Sequence, residues 1–311
     1  MKRERRGSVN RFVASPQARP RRVLVIGSTG QVGRKLAAEL VGRREPLVVV
    51  AASRSHPDPA LQVDLERHQT IERLILTVQP DHVILAAAAT NVTWCEEHPD
   101  RSWAINVLGT ETAALVARRV GASFTFISTD YVFDGISGPY GESQPTNPIN
   151  VYGAHKLSAE VAVMAANSAN LVVRTCQVFG DDPRRSNFVV RVVDSLHRGE
   201  TVDAAGDLFG TPTYAPDLAR GLIDLTLSRA SGIWHFAGDR FLSRYELAIM
   251  AASAFECKRG AIVEVTADQM EDPVNRPRRA GLRNDRLAAS DRRYVTPLRD
   301  ALANLAEEMT R

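Results

Sequence analysis

The chain has 311 residues, 44% hydrophobic and 24% charged, with three cysteines and a formal net charge of +3. That length and apolar content suit a large α/β core, and no run approaches the roughly 18 consecutive apolar residues of a membrane-spanning helix. Eight basic side chains stand within residues 1–22 against the single acid Glu4, so the rest of the chain is net acidic and a nucleic-acid-binding surface gains no support.

Residues 1–21 read as a disordered basic tail. They have no apolar core of a secretory signal; an organelle transit peptide is the alternative. Cys95, Cys176 and Cys257 are far apart and lack metal-ligand spacing, which fits a reduced, cytoplasmic protein with no metal site.

Order is expected from Val23. Val23–Ile26 reads as a buried strand, followed by a glycine turn and a helix through Leu40. Leu47–Ala51 is the second strand. Thr70–Gln79 carries Ile71, Leu74, Ile75 and Val78 on one helical face, and Pro80 ends it. Val83–Ala87 is a strand. Trp103–Val120 is a long helix stopped by Gly121, with Asn106 as an interior polar residue. Phe124–Ile127 is a strand, Tyr152–Ala166 a helix and Leu171–Arg174 a strand.

This alternation predicts an α/β fold, a Rossmann-type doubly wound parallel sheet over residues 22–180. Beyond Gly180 the rhythm changes. Helices over Phe188–His197, Asp217–Leu227 and from Ser243 through Phe255, with a strand at Ile233–Phe236, read as a smaller, mainly C-terminal substrate lobe over residues 181–311. It is expected to be able to return an element to the sheet. Ligands of such sheets bind beyond the strand C-termini.

Three constellations carry chemistry. Gly27, Gly30 and Gly33 sit between a strand and a helix, where missing side chains permit a tight turn, close approach of a pyrophosphate and close packing. Gly27, Thr29, Gly30, Gln31, Val32 and Gly33 are therefore candidate cofactor residues, although the spacing is GxxGxxG rather than GxGxxG. The second strand ends in Ala52-Ser53-Arg54, without the acid that would bond an NAD ribose. Ser53 and Arg54 point to NADPH, with NADH as the alternative.

Tyr152 and Lys156 lie four apart on one helix face, where an ammonium could lower the phenol's pKa for proton exchange. Only four lysines exist in the chain, which makes this placement informative. Ser128 and Thr129 end a strand at the ligand edge, where a hydroxyl can meet a reacting carbonyl or alcohol.

The stretch Ile127-Ser-Thr-Asp-Tyr-Val-Phe-Asp-Gly135, then Pro139-Tyr140-Gly-Glu142, then Pro148-Ile-Asn-Val-Tyr152-Gly-Ala-His-Lys156-Leu-Ser-Ala-Glu160 continues this pattern. So do Arg174-Thr175, Gly210-Thr-Pro212-Thr213, Asp217-Leu218-Ala219, Trp234-His-Phe-Ala-Gly238 and Arg276-Pro277. From about Val23 to Leu287 the chain resembles the extended short-chain dehydrogenases/reductases, and within them the dTDP-4-dehydrorhamnose reductase family.

The resemblance implies that Tyr152 protonates the carbonyl oxygen, that Lys156 tunes it and binds the nicotinamide ribose, and that Thr129 orients the substrate carbonyl. Asp64 and Leu65, after a third strand, match the adenine-contacting dipeptide. Ala86, Ala87 and Ala88 match the small-residue strand end beneath the cofactor. Asn187 and Phe188 match the nucleotide-sugar side of the pocket, and Ser128 and Tyr131 are further candidate substrate residues.

One departure stands out. The family usually places Ser-Trp after Arg-Thr, the Trp stacking on the sugar; here Cys176-Gln177 follows. Trp94 and its loop, with Thr90 and Asn91, are the candidate replacement. The expected activity is reduction of a nucleotide-linked keto sugar of the dTDP-4-keto-6-deoxysugar type, by a possible homodimer. A sugar-nucleotide epimerase or dehydratase with bound NAD, and a non-catalytic regulatory subunit like that of methionine adenosyltransferase, are the alternatives.

Overall fold

Six short, apolar segments build the centre of the molecule. β1 (Arg21–Ile26), β2 (Leu47–Ala52), β3 (His82–Leu85), β4 (Ser123–Thr129), β5 (Leu171–Thr175) and β6 (Gly232–His235) form one sheet in the order β6-β5-β4-β3-β1-β2, with every pairing parallel. The computed structural model describes residues 19–257, 261–270, 274–290 and 294–310. Most of the basic tail, residues 1–18, lies outside the described residues. Its expected boundary at residue 21 is corrected, because Arg21 and Arg22 already pair with Leu47 and Val48.

The strands are continuous apolar runs because helices cover both faces. On one side α2 (His68–Val78), α3 (Gly109–Arg119) and α4 (Val151–Ala166) pack Ile71, Leu74, Ala113, Ala117, Ala159 and Val163 against Leu24, Val83 and Phe126. On the other, α1 (Gln31–Val41) and α6 (Ala215–Leu227) bring Leu36, Leu40, Leu218 and Leu222 onto Val23, Val25 and Val173. The sheet therefore takes a strand and a helix from beyond residue 180. The rest of that region builds a separate core from α5 (Phe188–His197), α7 (Arg244–Ala254) and α8 (Leu298–Thr310). Ser243 caps α7 in a reciprocal pair with Glu246.

Two expectations are corrected here. The third strand before Asp64 is reduced to one bridge, Ser53 opposite Gln62. Pro57 and Pro59 supply no backbone donor and Pro59–Leu61 winds into a 3-10 turn, so no ladder can extend. The helix expected from Trp103 begins at Pro99 and passes through a π turn at Ala104–Leu108 before α3. Asn106 sits in that turn and is not an ordinary interior polar residue. It is 1% exposed, accepts from the Ala89 N–H at 2.8 Å and donates to the Ala89 carbonyl at 3.0 Å. It thus fixes the segment leaving β3.

Candidate active site

The glycine turn lies where the strand order reverses, between β1 and β3. Gly27 has φ +96°, and a Cβ there would stand 2.7 Å from the Ala87 nitrogen. A Cβ on Gly33 would stand 2.1 Å from the Gly27 carbonyl oxygen, so the helix can approach the turn only without one. No side chain caps α1 at Gly30, whereas Asn150, Asn187 and Ser243 cap their helices. Its first N–H groups are left for an anion.

Thr29 is exposed, and Gln31 reaches Gly180. Ser53 is buried with its hydroxyl unpartnered, and Arg54 beside it is exposed. Asp64 holds the Glu66 N–H, and Leu65 is buried against Gly109. Ala86, Ala87 and Ala88 follow β3 rather than ending it, since the strand stops at Leu85.

Across the same edge stand Thr129, Tyr152 and Lys156. Asn150 starts α4 by accepting from the Gly153 N–H, which sets Tyr152 in the first turn facing β4. Tyr152 is 9% exposed, with its ring edge-on to Tyr131 at 5.8 Å. Lys156 is 2% exposed; its Nζ donates to the Ile127 carbonyl at 2.7 Å and lies 3.9 Å from the Phe126 ring centre.

The expected lowering of the phenol by the ammonium is not what this arrangement produces. Burial pushes Tyr152 up, and burial pulls Lys156 down to about 7. The amine is turned to the strand rather than to the phenol.

That shift has a sign. An unfolded lysine titrates near roughly 10.4, so between about pH 7 and that value the unfolded chain holds the extra proton. The destabilisation from a buried ammonium is complete below pH 7 and is relieved as pH rises through the window. Thermal melts from pH 7 to 10 should show this rise, and Lys156→Met should flatten it. An unaltered slope in the variant would remove Lys156 as its cause.

A cavity of about 440 Å³ opens beside Tyr131, the ring against which Tyr152 packs. Tyr131, Gln177 and Phe188, candidate substrate residues in the sequence, line it. Asp130, Arg191, Arg244, Arg276 and Arg278 also line it and were not foreseen. Arg276 donates to the Tyr131 hydroxyl at 3.3 Å, and Arg244 lies 4.5 Å from the Phe188 ring centre. Arg278 pairs with Asp207 and Asp268. These arginines come from α5, the start of α7 and the segment after Val274, so no local spacing in the sequence marks them. Arg276-Pro277 was the one available signal.

Gln177 has a left-handed backbone, φ +44°, and a Cβ on Gly210 would stand 2.3 Å from its Nε2. Ser128 is buried with its hydroxyl unpartnered. Other expected residues lie elsewhere. Asn187 caps α5 and donates to the Gly180 carbonyl. Thr90 and Asn91 are exposed. Trp94 packs in the cluster around Tyr152 but stacks on His98 at 4.9 Å and does not line the cavity.

Fold and site together define an NAD(P)-dependent oxidoreductase of the extended short-chain dehydrogenase/reductase class. The chain belongs to the RmlD substrate binding domain family, which matches residues 21–311. It is 32% identical to the spore coat polysaccharide biosynthesis protein SpsK of Bacillus subtilis, over 82% of this chain and 87% of that protein. It is 31% identical to a dTDP-4-dehydrorhamnose reductase of Mycolicibacterium smegmatis, over 90% of this chain and 82% of the other. The beta subunit of methionine adenosyltransferase 2 from Xenopus laevis is 30% identical, over 82% and 77%. The crystal structure of the Bacillus anthracis dTDP-4-dehydrorhamnose reductase in complex with NADP superposes with a TM-score of 0.85, at 26% identity, covering 93% of this chain and 99% of that one.

Proposed function

We propose that this chain is an NADPH-dependent reductase of a nucleotide-linked keto sugar, of the dTDP-4-keto-6-deoxysugar type, with Tyr152 as proton donor. The observation that carries this reading is Tyr152 and Lys156 one turn apart on α4, with Tyr152 packed on Tyr131 at the wall of an arginine-lined cavity, together with an uncapped glycine turn at the switch edge.

The turn fits the cofactor: α1 starts with no side-chain cap, so its first N–H groups suit a pyrophosphate, glycines at 27 and 33 let the turn close on Ala87 and on the helix, and the orphaned Ser53 hydroxyl suits a ribose. Bound there, NADPH supplies the hydride. Thr129 and Tyr152 hold the keto oxygen between two hydroxyls, and Tyr152 gives its proton as the alkoxide forms. Lys156 stands one helical turn on to bind the nicotinamide ribose. Arg191, Arg244 and Arg276 present guanidinium groups to a diphosphate, as nucleotide sugars require.

The test is NADPH oxidation against a panel of dTDP-, UDP- and GDP-linked keto sugars. Oxidation with none of them would overturn the reading. Binding without oxidation would favour the regulatory-subunit alternative, which the Xenopus relative keeps in view. Tightly held NAD in the purified protein would favour an epimerase or dehydratase.

Arg54 tests the cofactor choice. A guanidinium can meet a 2′-phosphate with paired N–H donors. Because Arg54 is exposed, the gain is screened. Arg54→Ala should raise the NADPH KM about fivefold and leave NADH nearly unchanged. Equal losses with both cofactors would assign Arg54 a structural role.

A further inference from the structure

We propose that Ser102 and His155 are positioning residues that tie the helix carrying Tyr152 and Lys156 to the segment beneath the cofactor. This rests on the reductase reading. Ala89 follows residues 86–88, which that reading puts under the cofactor, and it packs in the same cluster as Tyr152. One side chain holds both of its backbone groups: the Ala89 N–H donates to Asn106 Oδ1 at 2.8 Å, and its carbonyl accepts from Asn106 Nδ2 at 3.0 Å. Asn106 stands in the π turn Ala104–Leu108, four residues after Ser102, so the two side chains share a face. The amide also donates to Ser102 Oγ at 3.3 Å, and that hydroxyl meets His155 Nδ1 at 2.9 Å. A continuous line of hydrogen bonds therefore runs from Ala89 through Asn106 and Ser102 to α4.

Donors and acceptors along this line agree. The Ala89 N–H needs the amide oxygen, so Asn106 turns both amide hydrogens to the Ala89 carbonyl and to Ser102. Ser102 accepts one of them and has a single hydrogen of its own, which a neutral imidazole takes at Nδ1. Burial holds His155 below the usual histidine range, against the pull of Glu96, and so favours that accepting ring. Trp103 fixes the ring from a second side, edge-on at 5.3 Å. Ser102 and Asn106 are both buried, so water does not compete for the line.

The ends of the line are the parts the chemistry must keep in register. Hydride and proton go to the two atoms of one carbonyl, so the phenol and the cofactor have to stand at a set separation. Tyr152 rides on α4, three residues before His155, whereas the segment under the cofactor leaves β3. Their spacing is a tertiary contact, and this line spans it with side chains.

The first arm of the experiment needs no sugar. In the full chain, amide hydrogen exchange is read by NMR at the Ala89 N–H. In Ser102→Ala and in His155→Leu this amide should exchange about tenfold faster than in the parent, while amides of the sheet core such as Val83 and Val172 keep parental rates. His155→Asn, whose amide oxygen stands where Nδ1 does, should restore slow exchange. Parental exchange at Ala89 in either of the first two variants, or equal acceleration throughout the sheet, overturns the proposal.

The second arm uses the keto sugar found by the panel. Ser102→Ala and His155→Leu should lower kcat about tenfold and leave the KM values for NADPH and sugar within about twofold, because the groups that bind them are untouched. His155→Asn should recover most of kcat. A raised KM at unchanged kcat, or a His155→Asn variant as slow as His155→Leu, overturns the positioning role. A panel with no substrate overturns the reductase reading instead, and the exchange rates still decide whether the tie exists.

Discussion

Replacing Tyr152 by Phe is expected to lower kcat by about 10²–10⁴ while NADPH binding is preserved. The ring survives the change, and with it the packing against Tyr131, Val92, Cys95 and Val274. Thr129 keeps its contacts to the Asp130 carboxyl and the Tyr131 N–H, so the stability cost is about 1 kcal/mol at most. What disappears is the hydroxyl hydrogen that the proposed mechanism gives to the keto oxygen. Stopped-flow turnover and a fluorescence titration with NADPH, run on the same preparation, separate the two effects. Activity within a few-fold of the parent would remove Tyr152 from the chemistry. Equal losses of binding and turnover would assign it to the architecture of the cleft.

The parts of this molecule that local pattern encodes were legible in its sequence. Buried parallel strands are continuous apolar runs, so β1, β3 and β5 announce themselves, and Gly27 and Gly33 mark a turn that no side chain could enter. Tyr152 and Lys156 were visible because a helix converts a spacing of four into a shared face. Long-range assembly was not legible.

Apart from the Arg276-Pro277 pair, nothing near Arg191, Arg244 or Arg276 says that three segments converge on one cavity, and an arginine is individually unremarkable in a chain so rich in them. The missing third strand failed for a local reason, two prolines before Gln62, that a period-based reading underweights. The phenol's upward shift comes from burial, which spacing does not show, and spacing carries no rotamer either, so the turn of Lys156 toward the Ile127 carbonyl was not legible.

Gln177→Trp is expected to raise kcat/KM on dTDP-4-dehydrorhamnose by about tenfold over the parent, from a low starting value. Gln177 occupies the position where the family's reductases usually carry a stacking Trp. Its left-handed backbone, φ +44°, places the side chain at the wall of the cavity beside Gly210. An indole there would cover the apolar face of a deoxyhexose and exclude water above it. An amide leaves room and presents both a donor and an acceptor.

Among the described residues the Gln177 side chain has no hydrogen-bonding partner in the structure, so it is available to a hydroxyl or another polar substituent. A site that spends its specificity on such a bond rejects a ligand lacking the group more sharply than an apolar wall does. Trp94 is a poor substitute platform, since its ring is already stacked on His98 and lies outside the cavity. The parent should therefore work better on a more substituted or differently oxidised sugar than on the plain rhamnose precursor, and the variant should reverse that order. Steady-state kinetics of both proteins on both kinds of substrate decide it. Ordinary reductase rates of the parent on dTDP-4-dehydrorhamnose, with no gain in the variant, would sink the argument and leave Gln177 as a residue of the cavity wall.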